Sequence, residues 1–323
     1  MRNKKVLVTG GAGFIGREVV KQLLKKNYKV RVADNLSKNP EKKDPIYGAE
    51  FHKVDLTDKK QTFPVFENID FCINLAAKIG GIGYFHKFPA TILSENNKIY
   101  SNTFEAAAKH KIKRMVYVSS SMVFESTFKF PSKESDINHI PPPVTSYGAS
   151  KLIGEWYCRA FWDEYRLPYS ICRPFNAYGI NEYPGEEVGM AHVIPDLLKK
   201  ILEGEFPLKI LGNGEQSRCF THVSDIASGI IAVMESEKGI NEDFNIASPR
   251  EMKIRDLAII LYRLCGNSGI PEMEFESGFT YDIQKRVPDV NKARQLIGWE
   301  SEVVLEEALK EVVDWFKTKA INK

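Results

Sequence analysis

Cysteine is scarce and unpatterned in this chain of 323 residues. Its five cysteines, Cys72, Cys158, Cys172, Cys219 and Cys265, are dispersed with no C-x-x-C spacing. That argues against a disulfide framework and a zinc site, so no metal is expected, and it fits a reducing, cytoplasmic setting. An excess of charge is lacking too: the formal net charge is +3, with Lys and Arg spread along the whole chain. Nucleic-acid binders concentrate positive charge on one face, so no such partner is expected. No apolar run is long enough to span a membrane. Arg2, Lys4 and Lys5 imitate the start of a signal sequence, but the apolar run behind them is short and enters a glycine turn, so it reads as a strand. Internal repeats, linkers and low-complexity runs are absent. What is present, 43% hydrophobic and 27% charged residues, describes a soluble globular protein of one large domain or two ordinary ones.

The chain is organised around Lys5 to Gly16, KVLVTGGAGFIG. A short apolar run of the kind found in buried parallel strands leads into a glycine-rich turn and then a helix start. Gly11, Gly13 and Gly16 spell G-x-G-x-x-G, and Gly10, Gly13 and Gly16 spell G-x-x-G-x-x-G. Glycine there permits a tight turn and close approach of backbone to a pyrophosphate seated on the helix N-terminus. Gly10, Gly13, Phe14, Ile15 and Gly16 are therefore expected to touch a dinucleotide. Apolar residues from Phe14 to Leu24 have helical spacing, and Tyr28 to Ala33 reads as a second strand ending at Asp34. A carboxylate at that tip accepts hydrogen bonds from a ribose diol and repels a 2′-phosphate, so Asp34, with Asn35 beside it, favours NAD.

Phe51–Val54, Phe71–Ala77, Arg114–Ser119 and Tyr169–Pro174 read as further strands. Asp55 and Leu56 follow the first of these, toward an adenine edge, with a helix N-cap the other reading for Asp55 or Thr57. Leu75, Ala76 and Ala77 let a cofactor pass close to a strand end. Lys78, Gly80 and Gly81 then open a glycine-rich loop where open parallel sheets bind ligands. Asn96–His110 reads as a helix whose first residue is a further cofactor contact, and Pro174 is another at the end of the last strand. Arg114–Ser119 delivers Ser119, Ser120 and Ser121 to the same edge. After a break at Pro141–Pro143, Tyr147-Gly-Ala-Ser-Lys151 opens a helix, and residues four apart share a helix face. Beyond residue 175 the alternation weakens, with helical spacing at Val193–Glu203, from Val223, and at Leu305–Phe316. The pattern predicts an α/β fold: a Rossmann-type doubly wound parallel sheet over 1–175, with about 215–247 returning to it. Residues 176–323 mainly build a smaller mixed α/β C-terminal substrate domain.

A tyrosine, with its pKa of about 10, is a weak base at neutral pH. A lysine one turn away and a positive nicotinamide ring favour the phenolate. Tyr147 is then suited to take a proton from a sugar hydroxyl while a hydride leaves the same carbon, with a strand-end serine sharing the hydrogen bond.

Taken together, TGGAGFIG (Thr9–Gly16), DNLS (Asp34–Ser37), VDLTD (Val54–Asp58), NLAA (Asn74–Ala77), VSSSMVF (Val118–Phe124), YGASK (Tyr147–Lys151), RPFNAYG (Arg173–Gly179) and GNGEQSRCFTHVSD (Gly212–Asp225) carry a resemblance over nearly the whole chain. The chain resembles the extended short-chain dehydrogenase/reductase family, the NAD-dependent nucleotide-sugar epimerases and dehydratases. The resemblance implies Ser120, Tyr147 and Lys151 as the catalytic set. It implies Asn176 and Arg218 at a substrate diphosphate and Arg286, in QKRVPD (Gln284–Asp289), near the nucleotide. Lys78, Gly80, Gly81, Ser121, Met122, His192 and Val193 complete the implied substrate contacts. It further implies a homodimer formed through the helices at Asn96–His110 and Tyr147–Tyr165.

Members of the family run several reactions, and the residues after Ser120 separate them. Dehydratases carry an Asp-Glu pair there, UDP-glucuronate decarboxylases a glutamate at the second position, and GDP-mannose 3,5-epimerase and GDP-fucose synthase a cysteine. Ser121 and Met122 match none of these, and a thioether transfers no proton. Two features pull toward the GDP-sugar enzymes: AAKIGGIG (Ala76–Gly83), and His192, which matches the histidine that GDP-fucose synthase pairs with its cysteine. A histidine with a near-neutral pKa is a fit proton donor, though His192 is also placed to hold a hydroxyl or cap a helix. Chemistry needing only Ser120, Tyr147, Lys151 and NAD remains: C4 epimerisation of a nucleotide hexose, with a UDP-sugar favoured. A GDP-sugar 3,5-epimerase or 4-keto-sugar reductase, and a non-catalytic nucleotide-binding regulator, are the alternatives.

Overall fold

The computed structural model describes residues 4–38, 48–184, 190–278 and 283–319. Seven parallel strands form the main sheet: β1 (Lys5–Thr9), β2 (Lys29–Asp34), β3 (Glu50–Lys53), β4 (Phe71–Asn74), β5 (Arg114–Val118), β6 (Tyr169–Pro174) and β11 (Glu242–Ile246). Their order is β11-β6-β5-β4-β1-β2-β3, so the direction of winding reverses between β1 and β4. Crevices at such a reversal, outside the carboxyl ends of the strands, bind ligands. In register, Thr9 lies between Ala33 and Asn74.

The apolar runs become strands because both faces of the sheet are covered. Val6 and Val8 face a layer of α1 (Phe14–Lys25) and α7 (Val223–Glu235), in one core with Val19, Leu23, Ile226 and Ile230. Leu7 and Cys72 face α4 (Pro89–Lys109) and α5 (Ser146–Tyr165), in a second core with Tyr100, Phe104, Tyr117 and Cys158. Near the sheet edge the short α2 (Lys59–Thr62) is capped by Asp58, whose carboxylate accepts from the Lys60 N–H. Neither Asp55 nor Thr57 caps it. Asp55 Oδ1 instead accepts from the Thr57 N–H at 2.9 Å and hydroxyl at 2.8 Å.

The later residues build a third core from α6 (Val193–Leu202), α8 (Ile254–Leu264) and α10 (Leu305–Lys319). Short strands frame it: β7 (Ala177–Tyr178) with β10 (Thr221–His222), β8 (Leu208–Leu211) with β13 (Met273–Glu276), and β9 (Ser217–Cys219) between β12 (Glu251–Lys253) and β14 (Lys285–Arg286). The chain returns to the main sheet twice. One return is α7 and β11. The other is α9 (Asn291–Ile297) with Trp299, whose indole N–H donates to Ser228 Oγ at 2.9 Å.

Several boundaries differ from the sequence reading. The strands β4 and β5 stop at Asn74 and Val118, so Leu75–Ala77 and Ser119–Ser120 are loops beyond the strand ends, and Ser121 opens a short helical turn. α4 starts at Pro89, not Asn96, because proline has no N–H to lose in a first helical turn and its φ is already helical. Residues 78–84 are not all loop, since α3 (Ile82–Lys87) begins inside them.

Candidate active site

A cavity of about 1130 Å³ runs from the glycine turn, past the ends of β4 and β5, into the smaller part of the molecule. Sites for one small ligand measure about 300–1,000 Å³, so the volume suits two. At one end Gly10 adopts φ +67°, and a Cβ there would lie 2.9 Å from the Ala76 backbone. A Cβ on Gly16 would lie 2.2 Å from the Gly10 carbonyl oxygen. Only glycine fits these two positions. The first turn of α1 carries no acidic residue and no side-chain cap, so its N–H groups face the cavity, ready for an anion. Asp34 Oδ2 accepts from the Ala12 N–H at 3.0 Å and Oδ1 from the Leu36 N–H at 2.7 Å. These bonds fix the carboxylate beside the turn and leave further lone pairs for a ribose diol. This cradle, with an acid rather than a base at the ribose position, fits NAD.

At the middle of the cavity, Thr145 caps α5 by accepting from the Gly148 N–H, and its own N–H and hydroxyl donate to Glu125 at 2.9 and 3.0 Å. This places Tyr147 and Lys151 on the first turns, facing the ends of β4 and β5. Tyr147 is 4% exposed and Lys151 3%. Phe85 stacks on the Tyr147 ring, with centroids 4.6 Å apart and planes 8° from parallel. Burial pushes the phenol pKa up, as does Tyr100, while a side-chain hydrogen bond to Ser120 and the charge of Arg286 pull it down. Burial likewise pushes Lys151 down, to about 7, against the raising effect of Glu155. The Lys151 ammonium donates to the Val118 carbonyl at 2.8 Å and stands 5.9 Å from the Tyr147 ring centroid. The groups that offset burial of the phenol are thus Ser120 and Arg286. The expected help from the lysine is not among them.

Ser120 also accepts from the Met122 N–H at 3.2 Å and so caps the helical turn Ser121–Phe124. Met122 is buried among Phe85, Ile92 and Tyr147, and its sulfur accepts from Arg286 Nη2 at 2.9 Å. Arg286 Nη1 lies 3.4 Å from both Ser121 Oγ and Asn176 Oδ1. Asn176 holds a positive φ of 36° and donates from its amide to the Cys219 carbonyl at 3.0 Å. Arg218 of β9 also lines this part of the cavity. His192 stands at the head of α6 without capping it; its Nδ1 hydrogen-bonds to Glu182 instead. Burial lowers the imidazole pKa, but the Glu182 carboxylate outweighs it and the net shift is upward.

The cavity brings together Gly10, Gly13, Phe14, Ile15, Gly16, Asp34, Asn35, Asp55, Leu56, Leu75, Ala76, Ala77 and Pro174. It also holds Lys78, Gly80, Gly81, Ser120, Ser121, Met122, Tyr147, Lys151, Asn176, His192, Val193, Arg218 and Arg286. Asn96 is the exception. It is fully buried, its Oδ1 accepts from the Lys78 N–H at 2.6 Å, and its amide donates to Ser150 Oγ at 3.0 Å. It holds the loop after β4 rather than facing the cavity, because α4 begins a full turn and more before it. Sequence reasoning missed Phe85, Lys38 and Glu182, which line the cavity. None of the three stands in a motif. Among the described residues, no group of three or more His, Cys, Asp or Glu is placed to hold a metal ion. No helix among them is long and apolar enough to cross a membrane.

Comparison with known proteins gives the same framework. The model of the NAD-dependent epimerase/dehydratase family matches residues 6–247. A UDP-N-acetyl-alpha-D-glucosaminuronate decarboxylase of Bacillus cytotoxicus is 30% identical over 97% of this chain and 98% of its own. The structure of UDP-glucose 4-epimerase from Thermotoga maritima with UDP-glucose superposes with a TM-score of 0.88 at 31% identity, covering 97% of this chain and 99% of that one. UDP-N-acetylglucosamine 4-epimerase from Methanobrevibacter ruminantium, in complex with UDP-N-acetylmuramic acid, gives 0.87 at 31%, covering 99% and 100%. The chain therefore belongs to the NAD-dependent epimerase/dehydratase family, extended short-chain dehydrogenase/reductases that act on nucleotide sugars, and its cofactor is NAD.

Proposed function

We propose that the protein is a nucleotide-sugar 4-epimerase acting on a UDP-hexose. The observation that carries this reading is the company Tyr147 keeps. Ser120 and Lys151 are its polar neighbours, and the second position after Ser120 is Met122, whose thioether is occupied by Arg286. A dehydration, a decarboxylation or an epimerisation beside a ketone needs a second acid or base at that turn. Redox at one carbon does not. Two similar structures are 4-epimerases of UDP-sugars.

Ser120 and Tyr147 hold the sugar 4-OH, and Tyr147 takes its proton. NAD, when bound, supplies the acceptor and donor of the hydride at C4. Arg218, Arg286 and Asn176 grip the diphosphate while the 4-ketose turns over and presents the other face of C4 for the return of the hydride, and Tyr147 gives the proton back to O4. Purified protein incubated with UDP-, GDP-, dTDP- and CDP-hexoses is expected to interconvert a UDP-hexose and its 4-epimer without net consumption of NAD. Turnover only with NADPH and a 4-keto sugar overturns this.

The Glu182–His192 pair favours a second reading, a GDP-sugar 3,5-epimerase or 4-keto-sugar reductase. An imidazole whose pKa a neighbouring carboxylate raises, in the same cavity, is a fit acid beside a ketone. Solvent deuterium appearing at C3 or C5 of the product would select it. A regulator that only binds nucleotide has no need of Ser120, Tyr147 and Lys151 together. For association, the reading is a homodimer through α4 and α5, where Trp156 and Tyr165 are 59% and 56% exposed.

A further inference from the structure

Ser120 and Tyr147 reach the cavity on separate segments of chain, and one half-buried carboxylate joins those segments. Ser120 opens the helical turn Ser121–Phe124, and Glu125 closes it, its N–H donating to the Met122 carbonyl at 3.2 Å. Glu125 Oε2 then accepts from the Thr145 N–H at 2.9 Å and from the Thr145 hydroxyl at 3.0 Å. A threonine hydroxyl has a single proton to donate. With that proton on the carboxylate, a lone pair faces the Gly148 N–H, which donates to it at 3.1 Å and so caps α5. Tyr147 stands between Thr145 and Gly148, inside the turn that this bond closes. The two segments also touch directly. A Cβ on Gly148 would lie 2.8 Å from the Met122 carbonyl oxygen and 3.2 Å from Glu125 Oε2. The first turn of α5 is therefore seated on the serine turn. Beside Glu125, Ser126 Oγ donates to the Pro142 carbonyl at 3.0 Å and holds the proline break that leads into the helix.

We propose that Glu125 is a positioning residue for the reaction centre: by pinning the cap of α5 to the end of the serine turn, it sets the separation of the Ser120 and Tyr147 hydroxyls. The inference rests on the reading of those two hydroxyls as the groups that hold the sugar 4-OH. Glu125 stands behind the cavity wall, not on it, so it acts only through its partners. Its Oε1 is buried with no hydrogen-bond partner among the described residues, which leaves Oε2 to make the link. A threonine caps a helix by accepting a bond and needs no acceptor for its own proton. The carboxylate adds something else. Bonds to an ionised oxygen are short and strong, negative charge is favoured at a helix N-terminus, and here they fix both the rotation of the Thr145 hydroxyl and the direction in which α5 leaves the loop. Misplacing a reacting group by about 1 Å lowers a rate by about 10²-fold. The link is thus an element of catalytic geometry even though it touches neither substrate nor cofactor.

The test is a double-mutant cycle on the NAD-loaded protein turning over a UDP-hexose. Glu125→Ala is expected to lower kcat about tenfold to a hundredfold and to leave KM for the UDP-sugar within about twofold. Glu125→Gln keeps a carbonyl oxygen for the Thr145 donors and is expected to restore much of the loss. On a Ser120→Ala background the hydroxyl to be positioned is gone, and Glu125→Ala is expected to lower kcat by less than about threefold. A wild-type kcat in folded Glu125→Ala overturns the proposal. So does an equal fold-loss with and without Ser120, because a purely structural role acts the same in both backgrounds. Should Glu125→Ala fail to fold, Glu125→Met fills the same space without accepting a bond and carries the same expectations. Failure of the underlying reading shows differently: no UDP-hexose is turned over, or Ser120→Ala and Tyr147→Phe turn over as fast as the wild type. Either result ends the proposal as well.

Discussion

Arg218 and Arg286 are register partners on adjacent parallel strands, β9 and β14. Paired positions in a sheet put their side chains on one face, and both residues line the cavity. Like charges held side by side repel, and a diphosphate between them reverses the sign of that interaction. Replacing either arginine with methionine should weaken UDP binding, by calorimetry, about tenfold to a hundredfold, the scale of one charge-assisted hydrogen bond at about 1.5–3 kcal/mol. The loss should shrink as salt rises. Unfolding temperature should not fall for Arg218→Met.

Tyr147→Phe should bind NAD within about twofold of the wild type, by fluorescence quenching, because the ring and its stacking on Phe85 remain. Turnover should drop by about 10²- to 10⁴-fold, the usual contribution of a positioned acid–base group. Comparable loss of NAD would mean that the hydroxyl serves binding instead.

Lys151 makes a pH prediction with a definite sign. Its pKa falls from 10.5 to about 7 in the fold. Between those values the unfolded chain holds the proton and the folded chain does not, so stability rises with pH across that window. Lys151→Met should therefore be more stable than wild type at and below pH about 7, by up to an order of 4 kcal/mol. The advantage should fade as pH approaches 10.5. Denaturant titrations of NAD-free protein at several pH values would measure it, and a constant difference would refute it.

Gly16→Ala should be strongly damaging. Its Cβ would sit 2.2 Å from the Gly10 carbonyl oxygen, which is backbone and has nowhere to go. Overpacking of this kind costs at least about 1–3 kcal/mol. The variant should melt earlier and purify without NAD, as read by the ultraviolet absorbance of the denatured protein.

Much of this site is legible in the sequence because the glycine turn, the acid at Asp34 and the Tyr147–Lys151 spacing each report a local backbone requirement. Gly10 and Gly16 occupy positions where a Cβ collides with main chain, and that constraint leaves its mark on the chain itself. Other parts depend on contacts remote in sequence. Phe85 sits 62 residues before Tyr147, and no periodicity connects them. Glu182 and His192 stand in no shared motif, and only their hydrogen bond links them. Asn96, read as the first residue of its helix and a cofactor contact, lies within α4, which extends back to Pro89, and its side chain binds the Lys78 main chain. Helix α8 was readable, with Ile254, Leu257, Ala258 and Leu261 buried at helical spacing, yet it lies where the strand–helix alternation had already lapsed.

Phe85 lies flat on Tyr147, so the phenol meets the cavity by its hydroxyl edge alone. On the proposed reading, a ketose made at that edge would have a dry ring on one side and two arginines at its far end. Its escape would then be governed at the diphosphate. The groups that do the chemistry have no say over when the intermediate departs, and trimming Phe85 to alanine would be felt as lost fidelity, with free ketose accumulating, before it was felt as lost speed.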